Sequence, residues 1–163
     1  MRGAHVVNDE DFAARKRMEY NDEYATCEKT HVTLCVYPPE NMMPEEVTAT
    51  LGIAPTETHV RGDLANAKSG RTFPVHSWFL CTKGSVESRD SRRHLDWLLD
   101  RVLPVTEKVR ALESRGARVW ISCYWVSASG HGGPSLLPVH LKKLSELGVE
   151  FWYDFYGPYE EQE

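Results

Sequence analysis

The sequence predicts an α+β domain, a two-layer sandwich in which a four- to five-stranded, mainly antiparallel sheet carries about three helices on one face. Segments that alternate apolar and polar residues are separated by segments in which leucine recurs at helical spacing. A strand, a proline-initiated helix, a Leu-Gly pair and a further extended segment occur twice, from Pro44 to Ile53 and from Pro138 to Val149. Two such halves joined by a helical stretch predict the split arrangement of ferredoxin-like folds.

Four segments have the alternation and the β-branched and aromatic content of main strands. In chain order they are residues 30–37, 75–82, 117–126 and 149–156. A long irregular stretch separates the first two, and in it we expect a short edge strand near residues 56–60.

Three helical segments connect these strands. Pro44 supplies the first position of the first helix, acidic residues after it favour the positive end of the helix dipole, and Gly52 ends it. The second segment covers residues 90–116 and is broken or kinked at Pro104. The third, residues 138–148, again begins with proline and ends with glycine.

The chain has 163 residues, which suffices for one domain because domains usually contain about 100–200 residues. We expect a polar N-terminal extension over residues 1–29, with a loose helix or none around residues 12–24. A single α+β domain follows over residues 30–157, and an acidic tail over residues 158–163 ends the chain.

Composition and charge argue against several classes of function. Lys and Arg total 19 against 24 Asp and Glu, a net charge of -5, which disfavours nucleic acid because that affinity comes from clustered positive charge. Apolar residues make up 41% of the chain, too many for a disordered protein. No apolar run approaches the roughly 20 residues of a membrane helix, and no signal-peptide pattern opens the chain. We therefore expect a cytoplasmic protein with neither nucleic acid nor membrane as partner.

Cysteine and histidine spacing predicts neither a redox motif nor a metal site. The cysteines, Cys27, Cys35, Cys81 and Cys123, form no C-x-x-C pair, and three lie in strand-like runs where a thiol is a small buried apolar group. The seven histidines form neither an H-E-x-x-H nor an H-x-x-x-H pair. We expect no disulfide framework, no metal and no cofactor.

Alternate strand residues divide the sheet into two faces, because neighbours in a strand point to opposite sides. One apolar set is predicted to pack against the helices: Val32, Leu34, Val36, Val75, Phe79, Val119, Ile121, Cys123, Val149, Phe151 and Phe155. The other set is rich in large amphipathic side chains: Tyr37, His76, Trp78, Trp120, Tyr124, Trp152, Asp154 and Tyr156. Trp and Tyr combine contact area with a polar tip at interfaces, so the second face predicts a binding platform.

Three covers for that second face stay open. The N-terminal segment or the loop over residues 53–73 folds across it, a second copy or a protein partner occupies it, or a small ligand stacks on Trp78, Trp120 or Trp152. Single-stranded RNA also stacks on aromatic sheets, but Arg118 is the sole basic residue of the strand set and the chain is acidic.

Two loops carry weaker chemical signals. His59, Arg61 and Asp63 alternate in the long loop and would present an imidazole, a guanidinium and a carboxylate together. The Gly-rich loop around His131 is similar to the His-Gly-Gly element of some esterase oxyanion holes, although no G-x-S-x-G motif accompanies it.

Several motifs together resemble a bacterial family known as a domain of unknown function, similar to DUF4279. They are LGIAPT at residues 51–56, Gly62, HSWFL at residues 76–80 and LDWLLDRVLP at residues 95–104. The likeness covers residues 30–156 and implies a compact α+β domain without supplying catalytic residues. Small bacterial domains of this sort include immunity and accessory proteins, which implies a comparable role by analogy.

We predict a noncatalytic binding or interaction protein of immunity or regulatory type that uses the aromatic sheet face and the adjoining loop. Its predicted binding residues are Tyr37, His59, Arg61, Asp63, His76, Trp78, Trp120, Tyr124 and Trp152. The expected partner is another protein or a second copy, with a small molecule as a further candidate. Two alternatives stay open: a metabolite-sensing domain, and a small metal-dependent hydrolase built from His59, Asp63, His76 and His131.

Overall fold

The computed structural model describes residues 20–158, and its sheet and helices form the α+β sandwich that the sequence predicts. In chain order the elements are β1 (Cys27–Tyr37), α1 (Pro44–Leu51), β2 (Glu57–His59), β3 (Leu64–Asn66), β4 (Arg71–Thr72), β5 (Ser77–Cys81), α2 (Ser91–Val102), a 3₁₀ turn (Leu103–Val105), α3 (Thr106–Ser114), β6 (Arg118–Ser127), α4 (Pro138–Leu147) and β7 (Glu150–Tyr156). Strands β3 and β4 form a separate two-stranded sheet.

The main sheet has five strands in the order β2-β5-β1-β6-β7. Strand β5 lies between β1 and β2 and is antiparallel to both, so β1, α1 and β2 form a split strand-helix-strand unit. Strand β6 is antiparallel to the other side of β1. These four strands have the ferredoxin-like order, and α4 then leads to β7, an added edge strand parallel to β6.

Proline and glycine set the helix ends as predicted. Pro44 and Pro138 begin α1 and α4, and the following glycines, Gly52 (φ 70°) and Gly148 (φ 76°), adopt the left-handed conformation that ends a helix. Pro104 lies in the 3₁₀ turn that separates α2 from α3, because a proline cannot continue α-helical hydrogen bonding.

The core lies between the helices and one face of the sheet. Its strand residues alternate along β1, β5 and β6: Val32, Leu34, Val36, Trp78, Leu80, Val119, Ile121 and Cys123. All four α-helices contribute apolar side chains to the same cluster, among them Leu51, Leu98, Leu112 and Leu147. Burial of this apolar surface is the main favourable contribution to folding. None of the helices between residues 20 and 158 has the length and apolar character needed to cross a lipid bilayer.

The predicted faces of β5 are wrong. Trp78, predicted for the second face, is fully buried in the core, where its Nε1 donates a hydrogen bond to Thr48 Oγ1 at 3.0 Å. Phe79, predicted for the core, lies on the opposite face, and Val75 precedes the strand and is 46% exposed. Residues 78–80 are apolar at three successive positions, so alternation along β5 does not indicate which of them face the core. Burial of the Trp78 indole is favourable because its N–H has a hydrogen-bond acceptor in Thr48 of α1.

Phe155 is also placed differently from the core prediction. It lies on the helix side of β7 but is 48% exposed, and its ring stacks on Trp125 at 5.1 Å. Phe151 on the same side packs against the core, whereas Tyr153 is 41% exposed. The helical layer therefore covers only the first part of β7.

The first strand begins at Cys27, three residues before the predicted start at residue 30. The residues just before it contact α2: Tyr20 Oη donates to Asp96 and the Asn21 N–H donates to Asp90, both at 2.8 Å. Residues 1–19, which include most of the loose helix considered above, and nearly all of the acidic tail lie outside the described residues.

The long stretch predicted as irregular contains β2 at the expected edge position and also the hairpin of β3 and β4, which was not predicted. Asn66 Oδ1 accepts hydrogen bonds from the N–H groups of Lys68 and Ser69 at 2.9 and 3.1 Å. This asparagine and Gly70, with φ at 67°, are the turn signals from which a hairpin could have been inferred.

Candidate functional site

The sheet face opposite the helices, here called the open face, is formed by all five strands. Residues paired directly across neighbouring strands share a face, so the strand register defines its members. They are Lys29, His31, Thr33, Cys35, Tyr37, Glu57, His59, Ser77, Phe79, Cys81, Arg118, Trp120, Ser122, Tyr124, Val126, Glu150, Trp152, Asp154 and Tyr156. The prediction that large amphipathic rings gather on one side of β1, β6 and β7 is confirmed by this register.

Four rings follow one another across the strands, and we call them the aromatic row: His59, Phe79, Tyr37 and Trp120. The ring centroids of His59 and Phe79 and those of Phe79 and Tyr37 are each 5.7 Å apart with edge-to-face geometry. Tyr37 stacks on Trp120 at 4.7 Å with an angle of 4° between the ring planes. Such contacts hold rings in fixed relative positions, so the aromatic row is preorganised for contact.

His59 is held firmly at the first position of the aromatic row. Its Nδ1 lies 2.9 Å from Ser77 Oγ, its Nε2 lies 2.8 Å from Glu57 Oε1, and Phe73 stacks on its ring at 3.8 Å. A carboxylate, an imidazole and a hydroxyl in contact are the components of a nucleophilic triad. Ser77 is only 3% exposed, however, so its hydroxyl has no access for the carbonyl of a substrate.

A second group of rings lies further along the open face. His31 stacks on Tyr124 at 4.5 Å, and the Tyr124 and Tyr156 centroids are 5.2 Å apart. Burial, reinforced by nearby positive charges, lowers the pKa of His31 to about 4, so its ring is neutral at neutral pH. Trp152 is 47% exposed, which leaves an indole available at the surface.

A cleft of about 530 Å³ opens where β1 ends and β6 begins. Its lining includes Tyr37, Trp120, Pro39, Val75, Arg61 and Arg118. Tyr37 is the last residue of β1 and pairs with Arg118, the first residue of β6, so the register itself brings a ring and a guanidinium to the same wall. The volume falls within the range of roughly 300–1,000 Å³ that small-molecule sites occupy.

Two guanidinium groups give this cleft its charge. Arg61 forms an ion pair with Glu40, whereas Arg118 has no carboxylate within ion-pair distance among residues 20–158. The Arg118 guanidinium lies 5.5 Å from the centroid of the Trp120 ring, a cation-π distance. Burial raises the pKa of Tyr37, so its phenol stays protonated and can donate a hydrogen bond.

His76 lines the same cleft but is not the exposed ring that was predicted. It is 7% exposed, because it lies at the end of the strand against the loop, where its Nδ1 accepts the Arg61 backbone N–H at 3.1 Å. An imidazole that accepts at Nδ1 in its neutral form carries its proton on Nε2. His76 therefore holds the Arg61 loop in place and keeps one N–H donor.

The residues proposed for a metal-dependent hydrolase do not come together. Asp63 is exposed in the turn after β2, and the hydrogen bonds that it makes are backbone bonds to Val60 and Phe73. His131 lies in the loop that follows β6, at the opposite end of that strand from the cleft, and contacts Ser129. Within residues 20–158 no group of three or more His, Cys, Asp or Glu side chains is arranged to hold a metal ion.

Of the predicted binding residues, the structure brings Tyr37, Trp120, Arg61 and His76 to one cleft. The remaining predictions lie elsewhere: His59 at the other end of the aromatic row, Tyr124 and Trp152 further along the open face, Asp63 in an exposed turn and Trp78 in the core. The sequence reasoning missed Arg118, Phe79 and Glu40 as members of the site. Arg118 could have been identified from its pairing with Tyr37, but that pairing is known only when the register of β1 and β6 is known.

The loop over residues 53–73 covers only one margin of the open face. Its hairpin approaches the sheet through Phe73, which stacks on His59. At the other margin the β7 rings of Trp152 and Tyr156 are 47% and 46% exposed. Among the described residues, no segment covers the middle of β6 and β7 on this face, since Trp120, Ser122 and Tyr124 all keep partial exposure.

Comparison with known proteins finds one family. A family model described as "Domain of unknown function (DUF4279)" matches residues 28–158. No match was found among curated proteins or among solved structures.

Proposed function

This chain belongs to the DUF4279 family of domains of unknown function, and from this premise we propose that it is a noncatalytic interaction protein that binds a protein partner through its open face. We place it in the bacterial cytoplasm, in an immunity-type or regulatory role. Four cysteines, all free and three of them buried, support a reducing compartment, where disulfides are rare.

The observation that carries the proposal is the set of rings on the open face. Trp152 and Tyr156 are about half exposed, and the aromatic row lies on the same face across the other four strands. Exposed aromatic rings that gather on one face of a sheet are typical of an interaction site. Trp and Tyr dominate the energetics of protein interfaces because they lose little rotamer entropy for the area they bury.

Two hydroxyl groups next to histidines are buried, which supports the noncatalytic assignment at those two positions, whereas Ser129 beside His131 is exposed. Thr82 Oγ1 lies 2.6 Å from His94 Nδ1, but Thr82 is fully buried and also accepts the N–H of Val32. Ser77 beside His59 is buried as well. Each of these hydroxyls serves internal hydrogen bonding, and a substrate has no path to either.

Self-association is the first test, because a second copy is the partner available in every preparation. We expect sedimentation velocity at micromolar concentration to show dimers that Trp120→Ala and Trp152→Ala together convert to monomers. Circular dichroism of the double variant should remain that of the parent protein, which shows that the loss is not unfolding. An unchanged sedimentation coefficient for the double variant would exclude a homodimer through this face.

A photo-crosslinking experiment extends the test to a different protein. A benzophenone amino acid at position 152 should form adducts in intact cells, whereas the same group at Glu113, an exposed residue of α3, should not. The adduct should disappear when Trp120→Ala is combined with it. Equal labelling from both positions, or none from position 152 in a protein that is also monomeric, would overturn the proposed function.

A fluorophosphonate probe tests whether the contact of Glu57, His59 and Ser77 is a serine hydrolase site, which differs from the metal-dependent hydrolase considered above. We expect no labelling of the folded protein because Ser77 is inaccessible. Stoichiometric labelling that Ser77→Ala abolishes would make the protein a serine hydrolase instead.

A further inference from the structure

The cleft at the end of β1 has features that a flat protein interface does not require. It is a concave space of about 530 Å³, lined by three parts of the chain: the end of β1 with the prolines after it, the loop before β5 and the start of β6. Clefts of this size with a few convergent polar groups are the usual form of small-molecule sites.

The apolar part of the cleft suits a flat ligand. Tyr37 and Trp120 form one stacked pair, and Pro39 and Val75 add aliphatic surface to the lining. Val75 is 46% exposed although it is large and apolar, so the domain core does not account for its position. A planar ring placed against these groups would remove apolar surface on both molecules from water.

The polar part of the cleft suits an anion. Arg118 has no carboxylate partner among residues 20–158, and its guanidinium lies over Trp120 rather than in an ion pair. A guanidinium presents paired N–H donors that match a carboxylate or a phosphate. Arg61 adds a second guanidinium, offset by Glu40, so one net positive charge remains in a protein whose total charge is -5. His76 also lines the cleft, and it contacts the Arg61 backbone through Nδ1 and not through Nε2.

We propose that this cleft binds a small organic anion with a planar apolar body, such as an aromatic carboxylate. Arg118 binds the anionic group, and the Tyr37 and Trp120 pair with Pro39 and Val75 binds the ring. The inference goes beyond the protein interface proposed above. The two sites share Tyr37 and Trp120, but Trp152 and the β7 end of the open face lie outside the cleft, so a variant at Trp152 separates them.

Calorimetric titration with defined probes tests this inference. We expect 2-naphthoate to bind with one-to-one stoichiometry, and 2-naphthamide, which has the same rings without the charge, to bind at least tenfold more weakly. Inorganic phosphate, which has the charge without the rings, should not displace naphthoate at equal concentration. If the amide binds as tightly as the acid, the cleft does not recognise an anion. If phosphate displaces naphthoate, the cleft does not require a planar apolar ring.

Two matched variants locate the binding. Arg118→Gln should weaken naphthoate binding at least tenfold, whereas Arg110→Gln, which removes the same charge from exposed α3, should leave it unchanged. Naphthoate should also shift the indole N–H resonance assigned to Trp120 in a nuclear magnetic resonance spectrum. No naphthoate binding at millimolar concentration, or equal effects of the two arginine variants, would overturn the inference.

The same titrations separate this inference from the proposed function. Trp152→Ala should reduce protein association and leave naphthoate binding intact, since its side chain lies outside the cleft. Arg118→Gln should reduce naphthoate binding in a protein that still associates. Failure of one measurement therefore leaves the other interpretable.

Discussion

Trp78 and Trp152 show how the same residue type serves opposite purposes on this sheet. The first is fully buried, with its Nε1 hydrogen bonded to Thr48, and the second is 47% exposed on β7. Both lie in strands rich in aromatic residues, and the difference between them comes from which side of the sheet each faces. Composition alone could not separate them.

Replacing each tryptophan by alanine should therefore have different consequences for stability. Trp78→Ala should lower the free energy of unfolding by about 3–5 kcal/mol, because it removes buried apolar surface and leaves a cavity. Trp152→Ala should lower it by less than about 1 kcal/mol, as expected for a surface position. Urea titration followed by circular dichroism measures both, and similar values for the two variants would show that the assignment of faces is wrong.

His31 is expected to make stability sensitive to pH. Burial lowers its pKa to about 4, from an ordinary value near 6.5, so the unfolded chain binds its proton more readily than the folded one. The contribution of His31 to the free energy of unfolding is therefore complete above pH 6.5 and is lost as the pH falls toward 4. His94, whose pKa burial also lowers, acts in the same direction.

We expect the free energy of unfolding to fall by about 1–2 kcal/mol between pH 7 and pH 5, and His31→Gln to make that fall smaller. His131→Gln is the matched control, since that ring is exposed in a loop. Urea titrations at each pH measure the effect. If the free energy of unfolding changes with pH equally in the parent protein and in both variants, His31 is protonated equally in the folded and unfolded chains.

At the scale of elements, one buried side chain, His140, both caps α4 and contacts α2. His140 Nδ1 accepts the Leu137 N–H at the start of α4, and its Nε2 lies 3.1 Å from Asp96 on α2. Burial alone would raise the pKa of Asp96, but hydrogen bonds from His140, Lys143 and Tyr20 together lower it below its ordinary value. Helix capping and helix-helix contact therefore depend on the same imidazole.

His140→Ala should lower the free energy of unfolding by about 1–3 kcal/mol, because it removes a cap and leaves the buried part of Asp96 with fewer donors. Val139→Ala, one residue earlier and 51% exposed, is the control and should change it by less than about 0.5 kcal/mol. Chemical denaturation measures both variants. If His140→Ala lowers the free energy of unfolding no more than Val139→Ala does, His140 does not stabilise α4 and its contact with α2.

The helices and main strands were predictable because proline, glycine and periodicity act locally. Pro44, Gly52 and Pro104 set helix boundaries through their own backbone geometry, which needs no tertiary information. The face of β5 was not predictable in the same way, since residues 78–80 are all apolar and only packing against α1 decides between them. The β3 and β4 hairpin depends on an Asn66 side-chain turn that strand alternation does not indicate.

At the scale of the whole molecule, the four thiols divide into an accessible one and three that the fold conceals. Cys27, Cys35 and Cys123 are buried, and burial raises the pKa of their thiols, to about 11 for Cys27 and about 12 for the other two. Cys81 at the end of β5 is partly exposed. The thiolate is the reactive form of cysteine. These three thiols are therefore protected from reagents, because burial blocks access and the raised pKa lowers the fraction of thiolate.

A disulfide reagent at pH 8 should therefore modify Cys81 quickly and the remaining thiols only at the rate of unfolding. Absorbance of the released thiolate should show one fast equivalent, which Cys81→Ser should eliminate. The slow phase should accelerate in urea in proportion to the unfolding rate. Two or more fast equivalents in the parent protein would mean that the sheet opens locally.

The candidate site was only partly predictable, because the cleft is assembled from segments far apart in the chain. Tyr37 and Trp120 could be assigned to one face by alternation, but their contact with Arg61 and Arg118 depends on how β1, β5 and β6 align. A sequence specifies such alignment through the packing of the complete core, not through any local pattern. The repeated motif predicted the ferredoxin-like class of fold, but neither the order of the strands nor the parallel addition of β7 was predicted from it.

The alternation of β1 and β6 between two faces sets the rules by which a relative of this protein could acquire a new specificity. Substitutions at every second position, such as Tyr37 or Trp120, can change what is recognised while the residues between them keep the domain folded. Inserting a single residue in β6 would instead exchange the two sets, exposing Val119 and Ile121 and forcing arginine and tryptophan toward the helices. Divergence in this fold should consequently proceed by point replacement in the central strands and by length changes only in the loops.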